Sequence, residues 1–192
     1  MIELQTFLND ELRSDRLVFK VGDVSMASKI AEYYIRNEQH FSMSMADFGE
    51  YFFEEKFHIE RIWQEFDEMV SNNSIRFYLF DINDYLFSKI IGDISINSIF
   101  SNGPKSCILG YKVDKENCNQ GFASESIERI IDFLFEELEL HRITLYIYKK
   151  NYTSIKLAEK FNFIKEGKLK NYLKIDNKWS EFLQYSLINQ EN

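Results

Sequence analysis

Residues 111–126, YKVDKENCNQGFASES, hold the chain's clearest prospect of chemistry. A strand-like stretch gives way to a short polar loop, then one glycine, then the apolar spacing of a helix. The chain has only seven glycines in 192 residues, and Gly121 stands at this strand-to-helix joint. Glycine lets backbone amides approach an anion with no side chain in the way. The unpaired N–H groups and dipole of a helix start favour negative charge there. The chemistry this predicts is capture of a phosphorylated ligand. Cys118 lies in the same loop, but Cys118 and Cys107 form no CxxC pair, so neither a metal site nor a disulfide framework is expected. A small, partly buried thiol is the simpler reading of Cys118.

The elements that must hold this joint follow from the apolar periods. A first strand is expected over 16–21, then a helix capped by Asp23 with Val24, Ala27, Ile30, Ala31, Tyr34 and Ile35 on its apolar face. Residues 37–56 read as irregular. A second helix carries Ile59, Ile62, Trp63, Phe66, Met69 and Val70 on one stripe and ends at 71–74. The period then changes to two. Strands are expected over 75–80, 90–99, 106–113 and 142–148, with Ile94 and Ile96 marking the buried face of the second. Pro104 supplies the turn before 106. One helix starts at Gly121 and another covers about 153–161, where Asn162 suits a left-handed cap. Segments 163–168, 172–175 and 179–187 complete a mixed α/β (α+β) arrangement of about seven mostly antiparallel strands and about four helices.

One domain over 1–192, with its core at about 12–188, accounts for this length. Hydrophobic residues make up 45% and aromatics 16%, including 18 Phe and 11 Tyr, which argues against disorder. No apolar run reaches the roughly 18 residues of a membrane span, and the first residues lack a signal-peptide plan, so the cytoplasm is the default. The net charge of −8 argues against a nucleic-acid partner. Residues 1–100 carry 9 Lys+Arg against 18 Asp+Glu, and the excess is densest at Asp47, Glu50, Glu54, Glu55, Glu60, Glu65, Asp67 and Glu68. This reads as a solvated helix face or as a surface that attracts a cationic partner.

In order and spacing the chain resembles the GNAT N-acetyltransferases, and within them the RimJ/RimL-type enzymes that acetylate ribosomal-protein N-termini. The resemblance runs from Leu12-Arg13-Ser14-Asp15-Arg16-Leu17 to Tyr185-Ser186-Leu187. It is carried by Leu109-Gly110-Tyr111, by Gln120-Gly121-Phe122-Ala123-Ser124-Glu125, by Leu140-His141-Arg142-Ile143, by Asn151 with Ser154, and by Phe161-Asn162-Phe163. It implies acetyl-coenzyme A as the donor and no metal. It also implies a splay between the strand ending at Val113 and the one beginning near Arg142. The pantetheine arm would lie there beside Tyr111, Lys112 and Val113. The pyrophosphate would sit on Cys118, Asn119, Gln120, Gly121, Phe122 and Ala123, with Ser124 as a further donor. The family pattern Q/R-x-x-G-x-G/A is met at its last three positions. Cys118 replaces the usual first residue, and Asn119 stands where many relatives have glycine. Neither change removes an amide. Lys112, Lys115, Lys149, Lys150 and Lys156 are placed to neutralise the nucleotide end.

Acetyl transfer needs a deprotonated amine, support for charge on the thioester oxygen, and a proton for the departing sulfur. The resemblance puts Asn151 near the coenzyme arm and makes Ser154 the general acid, with helix capping as its alternative role. A tyrosine used one turn later by related enzymes is Ala158 here. The base is unassigned. Asn171 stands where relatives often carry an acid, leaving Asp93, Glu50 and His40 as candidates. An α-amine, whose ordinary pKa is about 7.7–8.0, can also do without one. The expected acceptor is a cationic amine, first of all a basic protein N-terminus, with a small amine (a polyamine, an aminoglycoside or an amino-acid-like molecule) as the alternative. A non-catalytic acyl-coenzyme A module is a third reading. Tyr51-Phe52-Phe53 could be core, acceptor wall or the contact of a homodimer.

Overall fold

Strand β3 (Ile75–Asp81) shows how the layers are built. Phe77 and Leu79 pack with one apolar cluster, while Tyr78 and Phe80 belong to the other, so alternate side chains serve opposite faces of one sheet. The protein is described by a computed structural model covering residues 4, 11–46 and 49–190. Asp47, one of the acidic cluster expected from the sequence, lies outside the described residues.

Among the described residues the sheet has eight strands in the order β1-β2-β3-β4-β5-β6-β8-β7. These are β1 (Leu12–Arg13), β2 (Leu17–Val21), β3, β4 (Gly92–Phe100), β5 (Ser106–Val113), β6 (Arg142–Tyr148), β7 (Ile164–Ile175) and β8 (Lys178–Ile188). All neighbouring pairs are antiparallel except β5 with β6. A parallel pair needs a crossover, and helix α3 (Phe122–Asp132), extended by a widened π turn at Phe133–Glu137, supplies it. The α3 face buries Leu109, Ile130, Phe133 and Ile143, and helix α4 (Tyr152–Lys160) joins it through Ala158. The other face is covered by α1 (Ala27–Ser42) and α2 (Glu55–Val70), with Ile30, Tyr33, Tyr34, Ile62 and Tyr78 among its buried residues. No helix among the described residues is long and apolar enough to cross a membrane.

Several boundaries differ from the sequence reading. A short β1 raises the strand count to eight. Asp23 caps a 3₁₀ turn at Val24–Met26, accepting from the Ser25 amide, before α1 begins. Helix α1 runs on to Ser42 instead of yielding to irregular chain at 37. The two segments expected at 163–168 and 172–175 are one strand, β7, whose register against β8 shifts between Lys165 and Gly167 and again between Leu169 and Leu173. The expected left-handed Asn162 has φ +60°. The stripe on α2 is only partly buried. Ile62 and Met69 are in the core, while Trp63, Phe66 and Val70 are exposed. The first half of strand β4 is buried on both faces rather than one, since Asp93 and Ser95 are buried along with Ile94 and Ile96.

Candidate active site

The loop from β5 to α3 is set by buried polar groups. Asp114 is fully buried and accepts from the Glu116 amide at 2.9 Å, the Arg36 Nε at 2.5 Å and the Asn37 amide nitrogen at 3.0 Å. Asn37 Oδ1 in turn accepts from the Lys115 backbone at 2.8 Å. Burial alone would raise the Asp114 carboxyl, but these donors and the Arg36 charge hold it below the usual carboxylate range. The end of β5 is thus tied to α1, and the next residues can turn tightly. Asn119 (φ +60°) and Gly121 (φ +87°) are both left-handed. Asparagine tolerates that conformation, which is why it can stand in the glycine's usual place. Glu125 donates its amide to the Gly121 carbonyl at 3.0 Å. The amides of Phe122, Ala123 and Ser124 precede the first helical bond of α3 and face outward from its start.

Two cations border this helix start, and neither was among the five lysines expected there. Arg16 pairs with Glu125 at 2.7 Å, donates to the Gln120 carbonyl at 3.1 Å and lies 4.3 Å over the Phe122 ring. Lys160, in the last turn of α4, donates to Ser124 Oγ at 3.1 Å. Of the expected lysines, Lys149 faces Glu181 at 3.8 Å and Lys112 points to the other face of the sheet, 3.4 Å from Asp93. Nothing local in the sequence marks Lys160, because α4 folds back across 36 residues to bring it to Ser124.

The ladder between β5 and β6 covers only Ser106 with Arg142, Cys107 with Ile143 and Ile108 with Thr144. Beyond it, Leu109–Val113 pair with β4 alone and Leu145–Tyr148 with β8 alone. The central strands therefore splay, and β5 offers an open backbone edge at Tyr111–Val113. On the α3 side of this gap, the Tyr111 hydroxyl is buried and meets no partner with hydrogen-bond geometry. Burial pushes its pKa up to about 12, while the neighbouring Ser154 hydroxyl acts in the opposite direction. Tyr111 is thus a proton-bearing group at neutral pH. Asn151 caps α4, its Oδ1 accepting from the Ser154 amide at 3.1 Å. That use of the Asn151 side chain, rather than contact with a ligand, is what the geometry displays. The Ser154 hydroxyl is left beside Tyr111.

On the opposite face, a cavity of about 430 Å³ lies under α1 and α2. Tyr34, Tyr51, Phe52 and Phe57 form its aromatic walls, and Glu60, Arg61, Arg76 and Lys112 its charged ones. Tyr51-Phe52-Phe53 therefore divides between core and cavity wall. Lys112 connects the two faces of the site. Its backbone edges the β5–β6 gap, and its side chain lines the cavity.

Of the candidate bases, Asp93 is fully buried behind the cavity. It binds Arg76 at 2.5 Å, Lys112 at 3.4 Å and the hydroxyls of Tyr33 and Tyr34 at 3.1 and 3.4 Å. Burial works to raise it, yet the charges of Lys112, Arg76 and Arg61 leave it below its ordinary value, the wrong direction for a base at neutral pH. His40 Nε2 sits 3.6 Å from Cys118 Sγ, whose thiol is pushed up by burial and by Asp114 and so stays protonated. Glu50 is exposed at the start of a 3₁₀ turn. His58 is fully buried and stacked on Tyr34, its pKa lowered to about 4 by burial and by Arg61, which keeps it neutral.

Comparison with known proteins agrees with this geometry. The Escherichia coli [ribosomal protein uS5]-alanine N-acetyltransferase is 26% identical over 181 residues, covering 92% of this chain and 89% of its own. The ribosomal-protein-S5-alanine acetyltransferase of Vibrio fischeri superposes with a TM-score of 0.87 at 27% identity, over 95% of this chain and 98% of the other. Mycobacterium smegmatis RimJ, solved with a coenzyme A disulfide, shares the fold with a TM-score of 0.84 at 18% identity, over 91% and 83% of the two chains. The family described as the acetyltransferase (GNAT) domain matches residues 27–164, most of the chain. The splayed strands, the left-handed loop at a helix start and these matches together identify the chain as a GNAT-family acyltransferase.

Proposed function

We propose that this N-acetyltransferase moves the acetyl group of acetyl-coenzyme A onto the α-amine of a protein N-terminus by direct attack. The observation that carries the reading is the β5–β6 gap, bounded on one face by the Gly121 loop and on the other by the cavity. It gives two substrates a common meeting point without an enzyme nucleophile. The residues present fit the donor. The amides of Phe122, Ala123 and Ser124, with Arg16 and Lys160 beside them, suit a pyrophosphate. The open edge at Tyr111–Val113 suits an amide-bearing arm, and the buried Tyr111 hydroxyl, beside Ser154, puts a polar group in the gap. When bound, acetyl-coenzyme A supplies the activated thioester. Tyr111 and Ser154 hold protons at their hydroxyl oxygens and offer them to the sulfur side of the gap. No side chain is assigned as base, since an α-amine is substantially neutral near its ordinary pKa of about 7.7–8.0. The two unpaired thiols, Cys107 and Cys118, suit a cytoplasmic setting.

Thiol release from acetyl-coenzyme A, measured with N-terminal peptides, N-terminally blocked lysine peptides, polyamines and aminoglycosides, tests the reading. Unblocked peptides are expected to turn over fastest, with kcat/KM half-maximal near about pH 8 and level above about pH 9. Preferential turnover of polyamines or lysine side chains, with kcat/KM still rising towards about pH 10, would overturn it.

A further inference from the structure

The expectation that the acceptor is chosen for positive charge does not match the walls of the cavity that would receive it. Tyr78, Asp93 and Lys112 form a directly paired row across β3, β4 and β5, on the α1–α2 face. Arg76 lies on the same face of β3, and Arg61 and Glu65 descend from α2. Glu65 Oε1 accepts from Arg61 at 2.8 Å and from Arg76 at 2.7 Å. Asp93 Oδ1 accepts from Arg76 at 2.5 Å and from Lys112 at 3.4 Å. Three cations thus share two carboxylates among the described residues. Arg61, Arg76 and Lys112 keep 16%, 16% and 22% of their side chains accessible, and all three line the cavity. Among the described residues the one carboxylate that lines the cavity directly, Glu60, belongs to an exposed residue and accepts from the Tyr51 hydroxyl at 2.8 Å. A hydrated rim carboxylate is well screened and does little to cancel charge deeper in. The exposed acids Glu54 and Glu55 lie outside the cavity wall. A partly desolvated cation without a full share of counter-charge is costly unless an anion completes it.

We infer that the acceptor carries a carboxylate, which enters this cavity and is held by Arg61 and Lys112 while its amine reaches the β5–β6 gap. The inference rests on the reading that this face receives the acceptor, and it names that acceptor's class. Lys112 makes the arrangement workable, because it touches both the cavity and the gap. The aromatic walls suit the apolar part of such a molecule. The carboxylate has two sources, an acidic side chain near a peptide N-terminus or the α-carboxylate of a free amino acid.

The test uses the full-length protein with acetyl-coenzyme A and three acceptors: the amidated peptides Ala-Glu-Ala-Ala and Ala-Gln-Ala-Ala, and free alanine. Binding of each is also followed by calorimetry, so that the result does not depend on turnover. The Glu peptide is expected to exceed the Gln peptide roughly tenfold in kcat/KM and in affinity, as for one charge-assisted contact. Lys112→Gln and Arg61→Gln each bring cations and carboxylates into balance, and either should reduce that ratio to about two or less. The ratio is measured within each variant, so a general loss of activity does not enter it, and a melting curve confirms folding. Preference for free alanine over both peptides would keep the carboxylate and reject the protein N-terminus. Equal use of the Glu and Gln peptides, or preference for the Gln peptide, with alanine inert, would overturn the inference and leave the N-terminal reading standing. Failure of every carboxylate-bearing acceptor to bind would also overturn it.

Discussion

Replacing Asp93 by Asn tests whether the buried charge row holds three strands and two helices together. The substitution keeps the volume and removes the charge. Arg76 would retain Glu65 as its only carboxylate, and Lys112 would retain none among the described residues. Tyr33 and Tyr34 would lose an ionic acceptor. Breaking a buried pair by neutralising one partner costs about 3–5 kcal/mol. The low end, about 3 kcal/mol, applies because water reaches part of Arg76 and Lys112. For a chain of this size that corresponds to about 6–12 °C in Tm. The pH dependence follows from the same contacts. Burial acts to raise the Asp93 carboxyl, but Lys112 and Arg76 leave it below its ordinary value of 3.8. Its stabilisation is therefore complete above that value and lost as pH falls through the lower, folded-state value. Urea unfolding of wild-type and Asp93→Asn protein at pH 7 should differ by about 3 kcal/mol, and the gap should narrow only in strong acid. A difference below about 1 kcal/mol, or a gap that closes near neutrality, would refute the assignment of this cluster as a structural charge lock. The variant carries a second expected effect. With one more cation uncompensated, its preference for the Glu over the Gln peptide should increase.

Three further outcomes follow from the donor side. Gly121→Ala forces a side chain into φ +87° with its Cβ 3.3 Å from Arg16 Nη2, so it should cost about 1–2 kcal/mol in urea unfolding and raise the KM for acetyl-coenzyme A. Ser154→Ala and Tyr111→Phe should each lower kcat about tenfold or more with little change in acceptor KM, read by steady-state thiol release, whereas an unchanged kcat would remove them from the proton path. Lys160→Gln should raise the acetyl-coenzyme A KM roughly threefold at low salt, with the effect shrinking in added salt.

How far the sequence could be read depended on where polar residues were buried. Strand 142–148 was legible to the residue because Ile143, Leu145 and Ile147 alternate there without interruption, and strand 106–113 because the Pro104 turn precedes it and the polar loop follows it. The expected segments 172–175 and 179–187 leave Asp176-Asn177-Lys178 as the turn between them; the structure gives Lys178 to β8, and Asp176 and Asn177 both have positive φ, as a primed two-residue hairpin turn requires. The end of α1 was not legible, because Asn37 occupies an inward position with no exposed surface and breaks the apolar period. Its amide caps no element. It binds Tyr33, Asp114 and Lys115 and so locks the donor loop to the helix. On α2 the misreading had the opposite sign. His58 takes a core position, and Trp63, Phe66 and Val70 are apolar residues turned outward.

The same logic explains why the donor half of the site could be read and the acceptor half could not. A loop and helix start act through backbone amides, and glycine or asparagine at left-handed positions is a local signal. The acceptor cavity acts through Arg61, Arg76 and Lys112, which come from three elements and are ordinary surface residues in any one of them. The alternation of Ile94 and Ile96 with Asp93 and Ser95 is what a half-exposed strand would show. Only when α1 and α2 cover that face does Asp93 become buried and Lys112 become part of a wall. Among the described residues, most of the acids of residues 1–100 therefore lie on the outside of the protein. What it takes inside is set by which of those acids fold inward. Glu65 and Asp93 are the two carboxylates bound to the three cavity-lining cations, and two are fewer than three.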